Sequence, residues 1–254
     1  MADTMCLPFI VYGRKKGKLL AIIDHRAPRE ICEGLQKQGF KLLKLPSHPS
    51  LADPVSAHPD MLLFFTRDAI ITTHDYFNVA HRELDEISKH TQRNIISLKT
   101  ALDATYPNDI FLNAAVVGKH IFCLPKHTAS EIVNSPGHVI CPVRQGYAKC
   151  STVPIGSDAL ITADAGIANA ARKVCIDVLQ IEPGHIDLKG YDTGFPGGAS
   201  SYSPCQDLEC IYFCGEWRDH PQAAEIESFL KKHNKTPVSL ASIPLTDIGT
   251  VLLV

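Results

Sequence analysis

Leu19-Leu20-Ala21-Ile22-Ile23 leads through a turn, Asp24 to Pro28, into a stretch with Ile31, Leu35 and Gln38 on one stripe; Phe40-Lys41-Leu42-Leu43-Lys44-Leu45 follows. The first run reads as a buried strand and the stripe as an amphipathic helix stopped by Gly39. The last run alternates like a strand and ends at Pro46. The phrase returns as Ala69–Thr73, a helix from about Tyr76 to His90, and Asn94–Leu98. It returns again as His120–Leu124, a short helix or turn over Ser130–Val133, and His138–Val143. A fourth copy is Ala159–Thr162, a helix from about Gly166 to Lys173, and Asp177–Ile181. The fifth is Glu209–Cys214, a helix from Pro221 to His233, and Pro237–Leu240.

Four copies carry a further strand upstream across a tight turn: Met61–Phe65, Ile110–Val117, Ser151–Ile155 and Ser200–Pro204. Turn residues between apolar runs are hairpin chemistry. The first copy has no such partner, while the chain ends on an unmatched strand, Thr250-Val251-Leu252-Leu253-Val254. Repeats of this length call for stacked or circular architecture, because one unit cannot bury its own face. An unpaired terminal strand favours closure over an open solenoid. The fold expected over residues 1–254 is therefore one α/β domain, a five-fold pseudo-symmetric propeller sealed by its C-terminal strand. An ordinary two-layer α/β sheet is the alternative.

The chain has 254 residues, 45% of them hydrophobic and 20% charged, with a formal net charge of -2. That balance argues against a nucleic-acid surface, which would show a basic excess. The basic cluster Arg14-Lys15-Lys16-Gly17-Lys18 reads as a solvated turn, with phosphate binding as the alternative. No apolar run reaches the ~18 residues of a membrane span, and Met1-Ala2-Asp3-Thr4 does not resemble a secretion signal. The nine cysteines show no paired Cys-x-x-Cys zinc spacing, and several sit in apolar runs. A reduced, cytoplasmic protein with no cofactor is expected.

Further segments carry a family likeness: Ala57-His58-Pro59-Asp60-Met61, Gln145-Gly146-Tyr147-Ala148-Lys149-Cys150-Ser151, Ala159–Asp164 and Gly194-Phe195-Pro196-Gly197-Gly198-Ala199-Ser200. With the five repeats, they resemble an uncharacterised bacterial family of the guanidino-group-modifying, or pentein, superfamily. The resemblance implies a site at the starts of the first strands, where a Cys thiolate attacks a guanidinium carbon. A His then acts as acid and base, and carboxylates hold a cationic small molecule. It equally allows a binding module without turnover. The implied nucleophile belongs in the C-terminal strand, yet Thr246-Asp247-Ile248-Gly249-Thr250 stands there and no Cys follows Cys214.

Cys150, beside the cation of Lys149, is then the candidate relocated nucleophile, with His58 and Asp60 as catalytic partners. The structural alternatives are a small buried thiol, a loop His before Pro, and an Asp bonded to local backbone. Asp60, Asp109 and Asp247 each open a strand, which predicts converging carboxylates that bind a cationic ligand. Gly198 and Ser200 belong to a Gly-Gly segment suited to close backbone approach. His185-Ile186-Asp187 echoes a His-x-Asp motif by letter and makes His185 a candidate binding residue, chance being the alternative. Asp24 and Asp164 read as helix N-caps.

Overall fold

The computed structural model describes residues 19–254; Cys6 and the stretch Arg14 to Lys18 lie outside them. In the first unit β1 (Leu20–Asp24) and β2 (Lys41–Leu45) pair in parallel on either side of α1 (Arg29–Lys37). The helix carries the chain back to the start of the sheet, as a parallel connection requires. β1 is buried throughout, so it shows a continuous apolar run rather than alternation.

The second unit opens with α2 (Pro59–Leu62) and β3 (Phe64–Phe65), then β4 (Ala69–Thr73), α3 (His74–Val79), α4 (His81–Thr91) and β5 (Asn94–Leu98). The third holds β6 (Ala115–Val117), β7 (His120–Cys123), α5 (Ser130–Val133) and β8 (Val139–Pro142); the fourth β9 (Thr152–Ile155), β10 (Ala159–Thr162), α6 (Ala165–Lys173) and β11 (Asp177–Gln180). In each, the first two strands form an antiparallel hairpin and the third pairs in parallel with the second. The fifth comprises β12 (Ser201–Tyr202), β13 (Cys210–Phe213), α7 (Ala223–Lys232) and β14 (Thr236–Ser239), with β13 parallel to β14.

β15 (Val251–Leu253) finishes the first unit's sheet. It pairs antiparallel with β1, Ala21 opposite Leu253 and Ile22 opposite Leu252, and parallel with β12. β12 also reaches β13 through a bridge between Ser200 and Phe213. The sheet runs β12-β15-β1-β2, so the last strand joins the first unit to the fifth. Its side chains serve two cores. Val251 and Leu253 pack with Ala21, Ile23, Ile31 and Leu35, whereas Leu252 and Val254 pack with Leu20, Ile22, Met61 and Leu62.

The departures from the sequence reading have local causes. Met61–Phe65 is not one strand, because Pro59 sits at the first helical position and starts a single turn. The helix expected over Tyr76–His90 is two helices broken at Ala80, whose ψ of 25° leaves the helical region. β6 begins only at Ala115, since Ile110 to Asn113 forms a hydrogen-bonded turn. Asp24 caps no helix. Its carboxylate takes the Arg26 amide at 2.7 Å and pairs with the Arg26 guanidinium, leaving Pro28 at the N-cap of α1. Asp164 does cap α6, accepting from the Ile167 amide.

Leu253 is fully buried in the seam between β1 and α1. Leu253→Ala should lower the unfolding free energy by about 2–5 kcal/mol, read from urea denaturation. A loss under about 1 kcal/mol would show that the seam bears little of the core.

Candidate active site

The segments leading into β3, β6, β9, β12 and β15 meet in the interior and bring polar side chains together. Asp60 comes from α2, Asn113 from the turn before β6, Lys149 and Cys150 from the turn before β9, Gly197 and Gly198 from before β12, and Asp247 to Thr250 from before β15. All are buried. Unlike the surrounding apolar clusters, a buried polar group must find a partner or lose its solvation uncompensated.

Thr250 ties the group together. Its hydroxyl lies 2.8 Å from Lys149 Nζ, 2.9 Å from Asp60 Oδ2 and 2.7 Å from the Gly197 carbonyl. Its backbone φ is 74°, a left-handed conformation that a β-branched residue rarely adopts. The amides of Ile248 and Thr250 both donate to the Gly198 carbonyl, which holds that backbone in place. Gly249 precedes it, also with positive φ; a Cβ there would lie 2.1 Å from the His58 Cβ. Asn113 is the second hub. Its Oδ1 accepts from the Lys149 amide at 2.7 Å, and its Nδ2 lies 3.0 Å from Cys150 Sγ and 3.1 Å from the Asp60 carbonyl.

Burial displaces every ionisable group here toward its neutral form. It lowers the Lys149 ammonium from its ordinary range, against the pull of the Asp60 charge. It raises Asp60, against Lys149 and His58. It lowers His58, whose Nδ1 stands 3.7 Å from Asp247 Oδ1, too far for a hydrogen bond. It raises Asp247 to about 6, opposed by the Phe195 and Gly249 amides that donate to its two oxygens at 2.9 Å. Cys150 is pushed up by burial and then by the Asp60 and Asp247 charges, so its thiol keeps its proton.

Two cavities adjoin the cluster. One of about 20 Å³, lined by Asp60, Lys149, Tyr202 and apolar side chains of the inner strands, has room for a single water. The other, about 170 Å³, is lined by Ser151, Asp164, Glu182, Gly194, Phe195 and Pro196 among others. Its walls carry two carboxylates and no basic side chain. Among the described residues, no group of His, Cys, Asp and Glu is arranged to hold a metal ion, and no helix is long and apolar enough to cross a membrane.

The expected site residues are thus partly gathered. Asp60, His58, Cys150 and Asp247 lie in or against the cluster. Gly198 touches it so closely that a Cβ would meet Asp247 Oδ1 at 2.0 Å, and Ser200 donates to the Gly197 carbonyl at 3.3 Å. Asp109 stands apart. Its carboxylate accepts from the Tyr147 hydroxyl, and its pKa is raised by burial and by the Asp103 charge rather than by Asp60 or Asp247, so the three-carboxylate convergence reduces to Asp60 and Asp247. His185 is exposed at a positive-φ turn with its ring edge against His220, and Asp187 is exposed beyond it, meeting the cluster only through its backbone carbonyl, which accepts from the Asp247 amide at 2.8 Å. Cys150 lines neither cavity, against the expectation that it faces the largest one. Among the described residues the exposed thiols are Cys175 and Cys205 instead. Asn113 escaped the sequence reading, although a polar residue inside the apolar run Ile110–Val117 was a signal for it. Lys149 was read only as a cation beside Cys150, and Thr250 only as a strand start.

Comparison with solved structures shows a shared fold. SxtG, an amidinotransferase from Microseira wollei in the saxitoxin biosynthetic pathway, aligns with a TM-score of 0.52 at 13% identity, covering 87% of this chain and 88% of its own. DDAH from Pseudomonas aeruginosa, a Cys-to-Ser mutant complexed with citrulline, aligns with a TM-score of 0.52 at 10% identity over 88% and 92%. Agmatine deiminase of C. jejuni gives 0.52 at 7% identity over 88% and 87%. At such identities the likeness is one of fold, and the fold is that of the pentein superfamily. No curated protein sequence matches the chain. It belongs to the family of unknown function DUF6873, whose model matches residues 22–252.

Two measurements check this geometry. The folded state favours protonated Asp247, so that contribution to stability is complete below about pH 4 and is lost as pH rises to about 6. Asp247→Asn should flatten the stability curve over that window by about 3 kcal/mol, and parallel curves for the two proteins would contradict the assignment. Separately, iodoacetamide should label Cys175 and Cys205 in the native protein at neutral pH and leave Cys150 intact until unfolding. Labelling of native Cys150 would show the thiol is open and activated.

Proposed function

We propose that the chain is a small-molecule C–N bond-modifying enzyme of the guanidino-group-modifying type, with the five units closed into a ring through β15 and the buried cluster as its reaction centre. The observation that carries this reading is the meeting of five strand-entry segments on one set of ionisable groups, all driven toward neutrality. Groups displaced in this way cluster at functional sites. Asp60, with one carboxylate oxygen that has no hydrogen-bond partner, is the proposed proton carrier at the centre. His58 and Asp247 form the wall behind it. The carboxylates of Asp164 and Glu182 in the larger cavity favour a cationic ligand there, in place of the acidic pole expected from Asp109. Free cysteines suit a reducing, cytoplasmic setting.

Cys150 as nucleophile draws little support from a protonated thiol that faces neither cavity. The second reading, a binding module without turnover, is favoured by the small void beside Asp60 and Lys149. Ammonia or amine release from a panel of guanidines, amidines, ureas and amides decides between the two. Turnover that falls by about 100-fold or more in Asp60→Asn is expected for an acid–base residue. Saturable binding from the same panel with no product establishes the binding module.

A further inference from the structure

The larger cavity opens to solvent, unlike the buried cluster beside it. Glu182, Pro183 and Thr193 line it as exposed residues, Asp164 and Gln145 are half-buried, and Ser151 is buried at 1% exposure. Pairing in the fourth unit sets Thr152 opposite Thr162, so Ser151 and Ala163 face each other at the open end of the β9–β10 hairpin, with Asp164 one residue beyond. The Ser151 amide donates to the Tyr147 carbonyl at 2.9 Å, and its carbonyl accepts from the Thr162 hydroxyl at 2.7 Å. Its side-chain oxygen has no partner among the described residues. A buried hydroxyl left unpaired beside a cavity loses its solvation unless something in the cavity bonds to it.

The walls fix the charge and size of that occupant. Among the described residues neither Asp164 nor Glu182 forms an ion pair. Asp164 is held in place as the cap of α6: its Oδ1 accepts from the Ile167 amide at 2.7 Å and its Oδ2 from the Gln145 side-chain amide at 3.3 Å. With one bond already on each oxygen, it matches the paired donors of a planar guanidinium poorly, whereas an ammonium takes single acceptors one at a time. The Ser151 oxygen is such a single acceptor. Phe195, braced against Tyr147 at a centroid distance of 5.8 Å, adds an aromatic wall for a cation. The volume of about 170 Å³ exceeds the ~10–15 Å³ that one water requires and falls short of the ~300 Å³ of a drug-sized pocket.

We propose that this cavity binds a compact primary amine in its ammonium form, with Ser151 as the inner anchor, Asp164 as the counter-ion and Glu182 attracting the cation at the mouth. The inference rests on the reading of the cavity as the place of a cationic ligand, and it names that ligand's class. The same wall touches the cluster. The Phe195 amide donates to Asp247 Oδ2 at 2.9 Å, and a Cβ on Gly194 would lie 2.5 Å from the Asp247 Cβ. An amine is also the fragment that breaking a C–N bond releases.

The test titrates the full chain with propylammonium, methylguanidinium and propanol by isothermal calorimetry. Saturable binding of propylammonium is expected, about 10-fold or more tighter than methylguanidinium, with none for the neutral alcohol. Asp164→Asn, which keeps the helix cap, and Ser151→Ala should each weaken it by about 10-fold. Glu182→Gln removes an exposed charge and should weaken it less. Ser151→Ala has a second readout: loss of an unpaired buried hydroxyl leaves the melting temperature of the free chain unchanged or higher, whereas loss of a structural hydroxyl lowers it. Absence of propylammonium binding, affinity unchanged in both Asp164→Asn and Ser151→Ala, or methylguanidinium or propanol bound as tightly, overturns the site. The functional reading fails separately. Propylammonium binding without turnover of any C–N substrate leaves the site standing, and turnover by a chain that binds no propylammonium removes the site while leaving the enzyme.

Discussion

One hydroxyl connects the parts of this protein that are farthest apart in sequence. Thr250, next to the last strand, holds Asp60 of the second unit, Lys149 of the fourth and the Gly197 carbonyl of the fifth in a single set of contacts of 2.7 to 2.9 Å. All of these side chains are buried, so each depends largely on the others for its hydrogen bonds. β15 brings the hydroxyl there. Its pairing with β1 and β12 fixes the register, and a slip of one residue would turn Thr250 to the opposite face. Closing the first unit's sheet and assembling the polar cluster are therefore one structural event.

The cost of this arrangement also points to function. A left-handed Thr, a lysine without an ion pair and a carboxylate oxygen without a partner each work against stability. A chain selected only for a firm core would replace them with apolar side chains of similar volume, as buried ionic groups commonly allow. Their presence together at the meeting point of five segments, beside one water-sized void and one larger acidic cavity, is better explained by chemistry than by packing.

Much of the architecture was legible because local signals were strong. The alternation in Lys41–Leu45, the hairpin turns Thr66–Asp68 and Gly118–Lys119, and the stop at Gly39 all act over a few residues. The role of β15 followed from a missing partner for β1. Local competition hid other features: Pro59 nucleates a turn inside an apparent strand, and Arg26 draws Asp24 away from the helix it was expected to cap. The site was legible only in part, since Asp60, Cys150 and Asp247 advertise themselves as polar residues at strand entrances. Asn113 and Thr250 gain their roles from partners some 36 to 190 residues away, which no window of sequence displays. His185 shows the reverse error, a motif by letter placed on an exposed turn.

The central claim is that burial without an ion pair drives Lys149, like the other ionisable groups of the cluster, toward its neutral form, and its protonation reports on that directly. NMR titration of isotopically labelled lysine side chains, with the Lys149 signal assigned through Lys149→Met, measures it in the intact chain. The account predicts a Lys149 amine that loses its proton below the ordinary lysine value of 10.5, separated from the bulk of the surface lysines. A Lys149 that stays protonated at and above that value would make it a buried structural cation and would contradict the account.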